Sequence, residues 1–295
     1  MELRVLRYFL AVTREESITG AAQSLHVTQP TLSKQLMDLE EELGRKLFLR
    51  GSRKITLTED GMFFRKRAQE IVDLVEKAQA EFSTLDEVES GDVYIGGGET
   101  RAMGLIAQTV RRLHDTYPGI RYHLYSGNGE DVAERLDKGL LDFGLFVGLI
   151  DFKKYDYLKL PMQDTWGLVI REDDHLARLD AIRPEDLAGV PILCSRQALI
   201  QNELSGWLGY DFGKLNIIAT YNLIYNASLM VREGLGCALC IDGLLNVFGT
   251  QGLCFRPFEP RVTADLAIAW KKYQVFSRAA KTFLNALQED LATHL

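Results

Sequence analysis

The chain has 295 residues, 46% of them hydrophobic and 25% charged, which predicts two or three globular domains with cores of their own. The formal net charge of −7 excludes a uniformly basic nucleic-acid-binding surface, and no run reaches the ~18 consecutive apolar residues of a membrane span. Yet residues 1–67 carry 12 Lys+Arg against 9 Asp+Glu, a net of +3, and the remainder sums to −10. A basic head on an acidic body suggests a DNA-binding module joined to something else.

The opening MELRVLRYFLAV is interrupted by Arg4 and Arg7 and lacks a small-residue cleavage site. It is a poor signal peptide, and the expected compartment is the cytoplasm. Leu3, Leu6, Phe9, Leu10 and Thr13 mark one face of a first helix. Ser17 can cap a second helix running through Ala21, Ala22 and Leu25. After a short break at His26-Val27, Thr28 can cap a third, whose first turn tolerates Pro30 because no N–H is needed there. Residues 51–58 (GSRKITLT) fit a short hairpin or wing, with Ile55 and Leu57 alternating against polar neighbours.

From Thr58 the pattern changes. Phe64, Ala68, Ile71, Val75, Ala78, Phe82 and Leu85 recur at spacings 4, 3, 4, 3, 4, 3, the a and d positions of three heptads. A coiled-coil helix over 59–88 that pairs two chains is expected; an amphipathic helix lying on its own domain is the alternative. Glu89-Ser90-Gly91-Asp92 reads as a hinge. Beyond it VYIGG (93–97), IRYHLY (120–125) and DFGLFV (142–147) alternate with helices near 102–115 and 129–139, the βαβ rhythm of a parallel α/β sheet. The rhythm recurs with WGLVI from Trp166, PILCS, LNIIATY and CALCI, with helices near 199–208 and 224–233; ADLAIAW and a helix at 276–290 complete it.

The four cysteines lie in apolar surroundings of the C-terminal half. Cys237-Ala-Leu-Cys240 has redox-motif spacing, but residues three apart on a strand face opposite sides. Buried reduced thiols are the expected state, with no metal site and no cofactor. GGGETRAMG after the first strand invites a dinucleotide fingerprint, but a G-x-G-x-x-G from Gly96 needs glycine where Arg101 stands. No acid–base–nucleophile cluster revives an enzyme reading. A solute-binding protein accounts for the body and not the head; an architectural DNA protein accounts for the head and leaves the body idle.

The third helix carries the DNA reading. At about 100° per residue, Leu32, Leu36, Leu39 and Leu43 fall within about 60° of each other and face a core, while Lys34 points almost opposite. Thr28, Gln29, Pro30, Thr31 and Ser33 crowd the N-terminal turn, and Glu40, Glu41 and Glu42 follow two turns later. Phosphates repel those acids, so the N-terminal half is the end that meets DNA, as in a helix-turn-helix. Gln29 and Gln35 suit adenine, Lys34 suits guanine acceptors, and hydroxyls hold phosphates. A solvated helix with a merely capping polar start fits the same residues taken alone.

SITGAAQSLHVTQPTLSKQLMDLEEELGRKLFLR followed by RKITLTEDG closely resembles the N-terminal domain of the LysR-type transcriptional regulators, near-continuously over residues 1–65. The heptad helix and two-part α/β region extend the resemblance over the chain. It implies a winged helix-turn-helix at 1–58, in which Gln29, Pro30, Ser33 and Lys34 read the major groove and Arg50, Arg53 and Lys54 grip the backbone or minor groove. The family usually has Arg where this chain has Lys34, a point charge with looser base discrimination. A solvated basic loop remains the alternative for the wing. The resemblance also implies an effector body of two Rossmann-like, periplasmic-binding-protein-like subdomains, 93–161 plus 266–295 and 162–265, holding a small effector between them. Dimers or tetramers on a double-stranded promoter dyad, and contact with RNA polymerase, are implied as well.

In open α/β sheets ligands sit off the C-terminal ends of strands. That rule selects Gly98, Glu99 and Thr100, then Ser126, Gly127 and Asn128, then Ser195, Arg196 and Gln197, and Asn222. The family's effector contacts map to the Thr100, Asn128 and Ser195–Gln197 neighbourhoods. Glu99 departs from the small or apolar residue expected there. It either faces the cleft and meets a cation or pairs with Arg101 at the surface, and Arg196 is a partner for a carboxylate.

Overall fold

The computed structural model describes residues 1–50, 54–83, 90–148, 153–196, 198, 204–209, 214–244 and 252–293, and the chain divides into two compact units, residues 1–83 and 84–295. The first unit is helical: α1 (Leu3–Glu15), α2 (Ile18–Ser24), α3 (Gln29–Leu43) and α4 (Glu59–Ser83), with a hairpin of β1 (Phe48–Arg50) and β2 (Ile55–Leu57) between α3 and α4. Both expected caps form. Ser17 Oγ accepts from the Gly20 N–H at 3.1 Å, and Thr28 Oγ1 from the Thr31 N–H at 3.4 Å. Each satisfies an N–H that the helix start leaves orphaned. α3 stops at Gly44, whose φ of +65° suits a residue without a Cβ.

Phe9, Leu32, Leu36, Leu39 and Leu47 form the core of this unit with Val5, Leu6 and Val12. The fourth leucine of the α3 stripe, Leu43, is exposed, because the chain turns away one residue later. The hairpin starts earlier than expected. Its first strand is Phe48–Arg50, paired antiparallel with Ile55–Leu57, and residues 51–53 lie outside the described residues. α4 then approaches β1 so closely that a Cβ on Gly61 would stand 2.1 Å from the Leu47 carbonyl oxygen, a contact only glycine permits.

The heptad seam on α4 divides between two faces. Ala68 is fully buried in the unit's own core, with Val72 buried and Phe64 packed beside it. Further along, Ile71, Ala78 and Phe82 are exposed, as are Phe63 and Leu74 off the seam. Ala68 and Val72 point inward at about 40° from each other, and Ile71, Leu74 and Ala78 lie beside them around the helix on the solvent side, so the seam is shared between the unit's own core and an exposed face. Ala68 therefore belongs to the unit's own core, contrary to the expectation for pairing; Phe64 and Val75 are half-buried, and Leu85 lies outside the described residues.

The second unit is a mixed α/β structure. Its elements are β3 (Ser90–Gly97), α5 (Met103–Thr116), β4 (Gly119–Ser126), α6 (Gly129–Asp137), β5 (Phe143–Val147), β6 (Tyr155–Arg171), β7 (Ile192–Ser195), α7 (Ser205–Leu208), β8 (Ile217–Tyr221), α8 (Ile224–Arg232), β9 (Cys237–Ile241), β10 (Leu253–Pro257), β11 (Thr263–Lys271) and α9 (Arg278–Thr293). The sheet order is β4-β3-β5-β11-β6-β9-β7-β8, with β10 paired to β6. β3, β4 and β5 are parallel, as are β7, β8 and β9, but β11 and β6 run antiparallel between them. The two parallel halves carry the expected βαβ rhythm, and an antiparallel centre joins them.

Ser90–Asp92, expected as hinge, are the first residues of β3. The buried Asp92 carboxylate draws a bidentate grip from Arg121 at 2.9 and 3.0 Å and lies 2.8 Å from His123 Nε2, which fastens β3 to β4. β6 begins eleven residues before Trp166. Asp156, Lys159 and Pro161 disguise its first half, which exposes one face.

Two larger clusters of buried residues sit on this sheet, with smaller ones beside them. One holds Val93, Ile95, Phe143, Leu145, Leu160, Leu266 and Phe283; the other holds Trp166, Leu168, Ile192, Leu239 and Ala264. β6 passes from the first to the second between Leu160 and Trp166, and β11 returns between Ala264 and Leu266. Cys237 and Cys240 pack in different clusters, as strand alternation requires. Burial raises both thiols, Cys237 to about 12. Among the described residues no helix is long and apolar enough to cross a membrane.

Candidate functional site: an exposed helix tip and an apolar cavity

The α2–α3 turn is held by Val27 N–H donating to the Ala22 carbonyl at 3.0 Å, with His26 in the left-handed region at φ +55°. This presents the start of α3 to solvent. Thr28, Gln29, Pro30, Thr31 and Lys34 are exposed, and Ser33 and Gln35 are half-buried. The Thr28 hydroxyl is engaged by Thr31, at 2.8 Å from its Oγ1. Gln29 and Lys34 make no hydrogen bond or ion pair among the described residues, so their polar ends are available. A polar, positively charged helix N-terminus backed by three buried leucines is the shape that a major groove accepts.

On the wing, Lys54 is ion-paired with Glu16, an exposed pair that costs little to exchange for a phosphate. Arg53 and the side chain of Arg50 lie outside the described residues.

Glu40 was not separable in sequence from its neighbours Glu41 and Glu42, yet it is only 5% exposed. Its Oε1 accepts from the Leu47 N–H at 2.8 Å and the Phe48 N–H at 3.2 Å, and its Oε2 from Lys46 Nζ at 2.8 Å. Burial works to raise its pKa; the Lys46 hydrogen bond and the two backbone N–H groups outweigh it and hold the carboxyl below the usual range. Glu40 therefore ties the recognition helix to the first strand of the wing.

In the second unit, the C-terminal ends of six strands converge on one cavity of about 570 Å³, its open mouth included. Gly98, Glu99, Asn128, Ser195 and Asn222 line it as expected. The apolar walls were missed: Val147, Trp166, Ala198, Leu223, Ile224, Cys240, Ile241 and Leu244, with Tyr221 among them. The strand-end rule applied to every strand would have found Val147, Tyr221 and Ile241.

Three expected residues are placed elsewhere. Thr100 is buried and donates to Asp164 Oδ2 at 2.6 Å, away from the cavity. Ser126 and Arg196 are exposed and do not line it. Gln197 lies outside the described residues.

Glu99 faces the cavity. Its Oε2 accepts from the Ile224 N–H at 2.8 Å, the first turn of α8. The surface pair with Arg101 does not form. Arg101 instead lies 3.0 Å from Asp242 Oδ2 and 3.6 Å from Asp164 Oδ1. The fully buried Asp164 has its pKa raised by burial; Thr100 opposes that rise, Asp242 adds to it, and Arg101 opposes it. Tyr221 Oη donates to the Leu239 carbonyl, and burial, then the charges of Cys240, Cys194 and Glu99, keep its phenol far above the ordinary value.

Known proteins agree with this division of labour. Residues 3–62 match the family described as bacterial regulatory helix-turn-helix protein, lysR family, and residues 86–292 match the LysR substrate binding domain. The Hca operon transcriptional activator HcaR of Escherichia coli (strain K12) is 31% identical over 300 residues, covering 99% of each chain. The DNA-binding transcriptional dual regulator OxyR of the same strain is 32% identical over 194 residues, 65% of this chain and 63% of that protein. Among solved structures, full-length CbnR complexed with its target DNA has a TM-score of 0.74 at 18% identity, over 98% of this chain and 100% of that one. Full-length BenM has a TM-score of 0.56 at 25% identity, over 100% and 96%. The chain therefore belongs to the LysR family of transcriptional regulators, with a DNA-binding helix-turn-helix head and an effector-binding α/β body.

Proposed function

We propose that α3 enters the major groove by its N-terminal half, with Gln29, Ser33, Lys34 and Gln35 at base edges and Thr28, Thr31 and the wing residues Arg50, Arg53 and Lys54 on the phosphates. Lys34, exposed and without a partner among the described residues, on the face opposite Leu32 and Leu36, carries this reading. Lys34→Ala is expected to weaken operator binding by about 1–3 kcal/mol and to relax one base preference. Binding titrations on operator and random duplexes check this: equal losses on both would make Lys34 a phosphate contact.

The exposed line on α4 supports self-association. At about 100° per residue, Phe63, Ile71, Leu74, Ala78 and Phe82 share an arc of about 100°. Pairing along it presents two recognition helices to a dyad whose half-sites lie about 34 Å apart, or a multiple of that. Leu74→Glu is expected to shift the chain toward monomers in sedimentation velocity, without unfolding, because Leu74 is exposed in the single chain. Unchanged mass would place the contact elsewhere; association of the bodies then extends the dimer to a tetramer.

The body comprises one subdomain of residues 93–161 and 266–295 and a second of 162–265, in line with the two larger clusters. A small molecule in the cavity touches both, through Glu99 and Asn128 on one side and Ser195, Tyr221 and Asn222 on the other. A ligand that binds one relative arrangement better shifts the population of DNA-bound geometries, and with it contact to RNA polymerase. The protein acts in the cytoplasm. Selection of genomic DNA with the purified chain, followed by footprinting with and without metabolites of the neighbouring genes, tests the whole reading. Failure to protect any dyad would overturn it.

A further inference from the structure

We infer that the cavity is built for an organic cation, an amine carrying a compact apolar body, with Glu99 as its counter-ion. The inference rests on the cavity being the effector site and adds the charge class of what it holds. Among the described lining residues Glu99 is the charged side chain, and no Lys, Arg or His joins it. The neighbouring Arg101 is turned away to Asp164 and Asp242. The carboxylate meets one N–H at the start of α8. A helix N-terminus carries roughly half a positive charge, less than the carboxylate's full negative one.

Among the described residues, the helix starts and turns that would hold an anion already have internal acceptors. The first-turn N–H of α8 is held by Glu99. The start of α6 is closed by Asn128 Oδ1, which accepts from the Asp131 N–H at 2.9 Å, and its first turn carries Glu130 and Asp131. The turn after β7 is closed by Ser195 Oγ, which accepts from the Ala198 N–H at 3.1 Å. An anionic ligand would have to displace an internal acceptor and then stand beside a carboxylate. A cation meets the opposite situation, and Trp166 and Tyr221 bring aromatic rings, a kind of group that attracts cations, into the wall.

The test is isothermal titration of the full chain at neutral pH with three size-matched probes: benzylamine, benzyl alcohol and benzoate. Benzylamine is expected to bind about tenfold tighter than benzoate or better. Glu99→Gln keeps an oxygen for the Ile224 N–H but removes the charge, and is expected to erase that preference. Benzoate binding as tightly as benzylamine, or an amine preference that survives in Glu99→Gln, would overturn the charge assignment and leave the cavity a ligand site. No binding by any of the three would reject both. Asn222→Trp adds bulk at the exposed edge of the cavity; undiminished benzylamine affinity in that variant would place the amine elsewhere and sink the inference.

Discussion

Phe9→Ala is expected to remove the melting transition of the DNA-binding head while sparing that of the effector body. Phe9 is fully buried, with its ring 5.2 Å from Phe48 at the start of the wing and 5.0 Å from Phe64 on α4. It thus joins the first helix, the wing and the long helix at one point. Truncating a buried phenylalanine costs about 3–5 kcal/mol, transfer and cavity included, which is comparable to the whole stability of a small helical unit. Calorimetry of the full chain reads both transitions, and DNA affinity should fall with the first. A matched loss in the second transition would show that the two units do not unfold separately.

Glu40→Ala is the second large effect, and it is local. The variant leaves the buried Leu47 N–H without an acceptor and frees the Phe48 N–H as well. One hydrogen bond to a charged group plus an orphaned donor is worth about 2–3 kcal/mol. Hydrogen exchange at Leu47 and Phe48 should speed up accordingly, and operator affinity should drop because β1 is no longer tied to α3. The pH dependence has a definite sign. The folded pKa lies below the unfolded 4.5, so the stabilisation is complete above about that pH and is lost as pH falls through the lowered folded value. Wild type and Glu40→Gln should therefore converge in acid and separate toward neutrality. A constant gap across that range would mean that Glu40 acts by packing rather than by charge.

Legibility differed from residue to residue. Ser17 and Thr28 were readable as caps because capping is a contact over three residues, decided by the local chain. Leu32, Leu36 and Leu39 were readable because 3.6-residue periodicity puts them on one face wherever the helix goes. Glu40 was not: three consecutive glutamates are equivalent until the chain after Gly44 folds back and delivers two N–H groups to one of them. Ala68 reads as a pairing residue in sequence for a related reason. α4 is apolar on two faces, and the packing of α1 against it settles which one is internal.

The cavity shows the same division. The strand-end rule located Gly98, Glu99, Asn128, Ser195 and Asn222, since βα connections always carry their loops to that edge. It could not tell Glu99 from Thr100, adjacent residues of which one turns into the cavity and the other to a buried aspartate 64 positions away.

By itself the sequence determined the helical head, the polar tip of its recognition helix, the long apolar-striped helix and an α/β body with its ligand edge. All of these follow from periodicity and short-range hydrogen bonding. The tertiary structure alone decided the antiparallel centre of the sheet, the inward half of α4, the anchoring role of Glu40 and the direction of Glu99. Those depend on which distant backbone groups arrive beside a given side chain, and no local pattern encodes that.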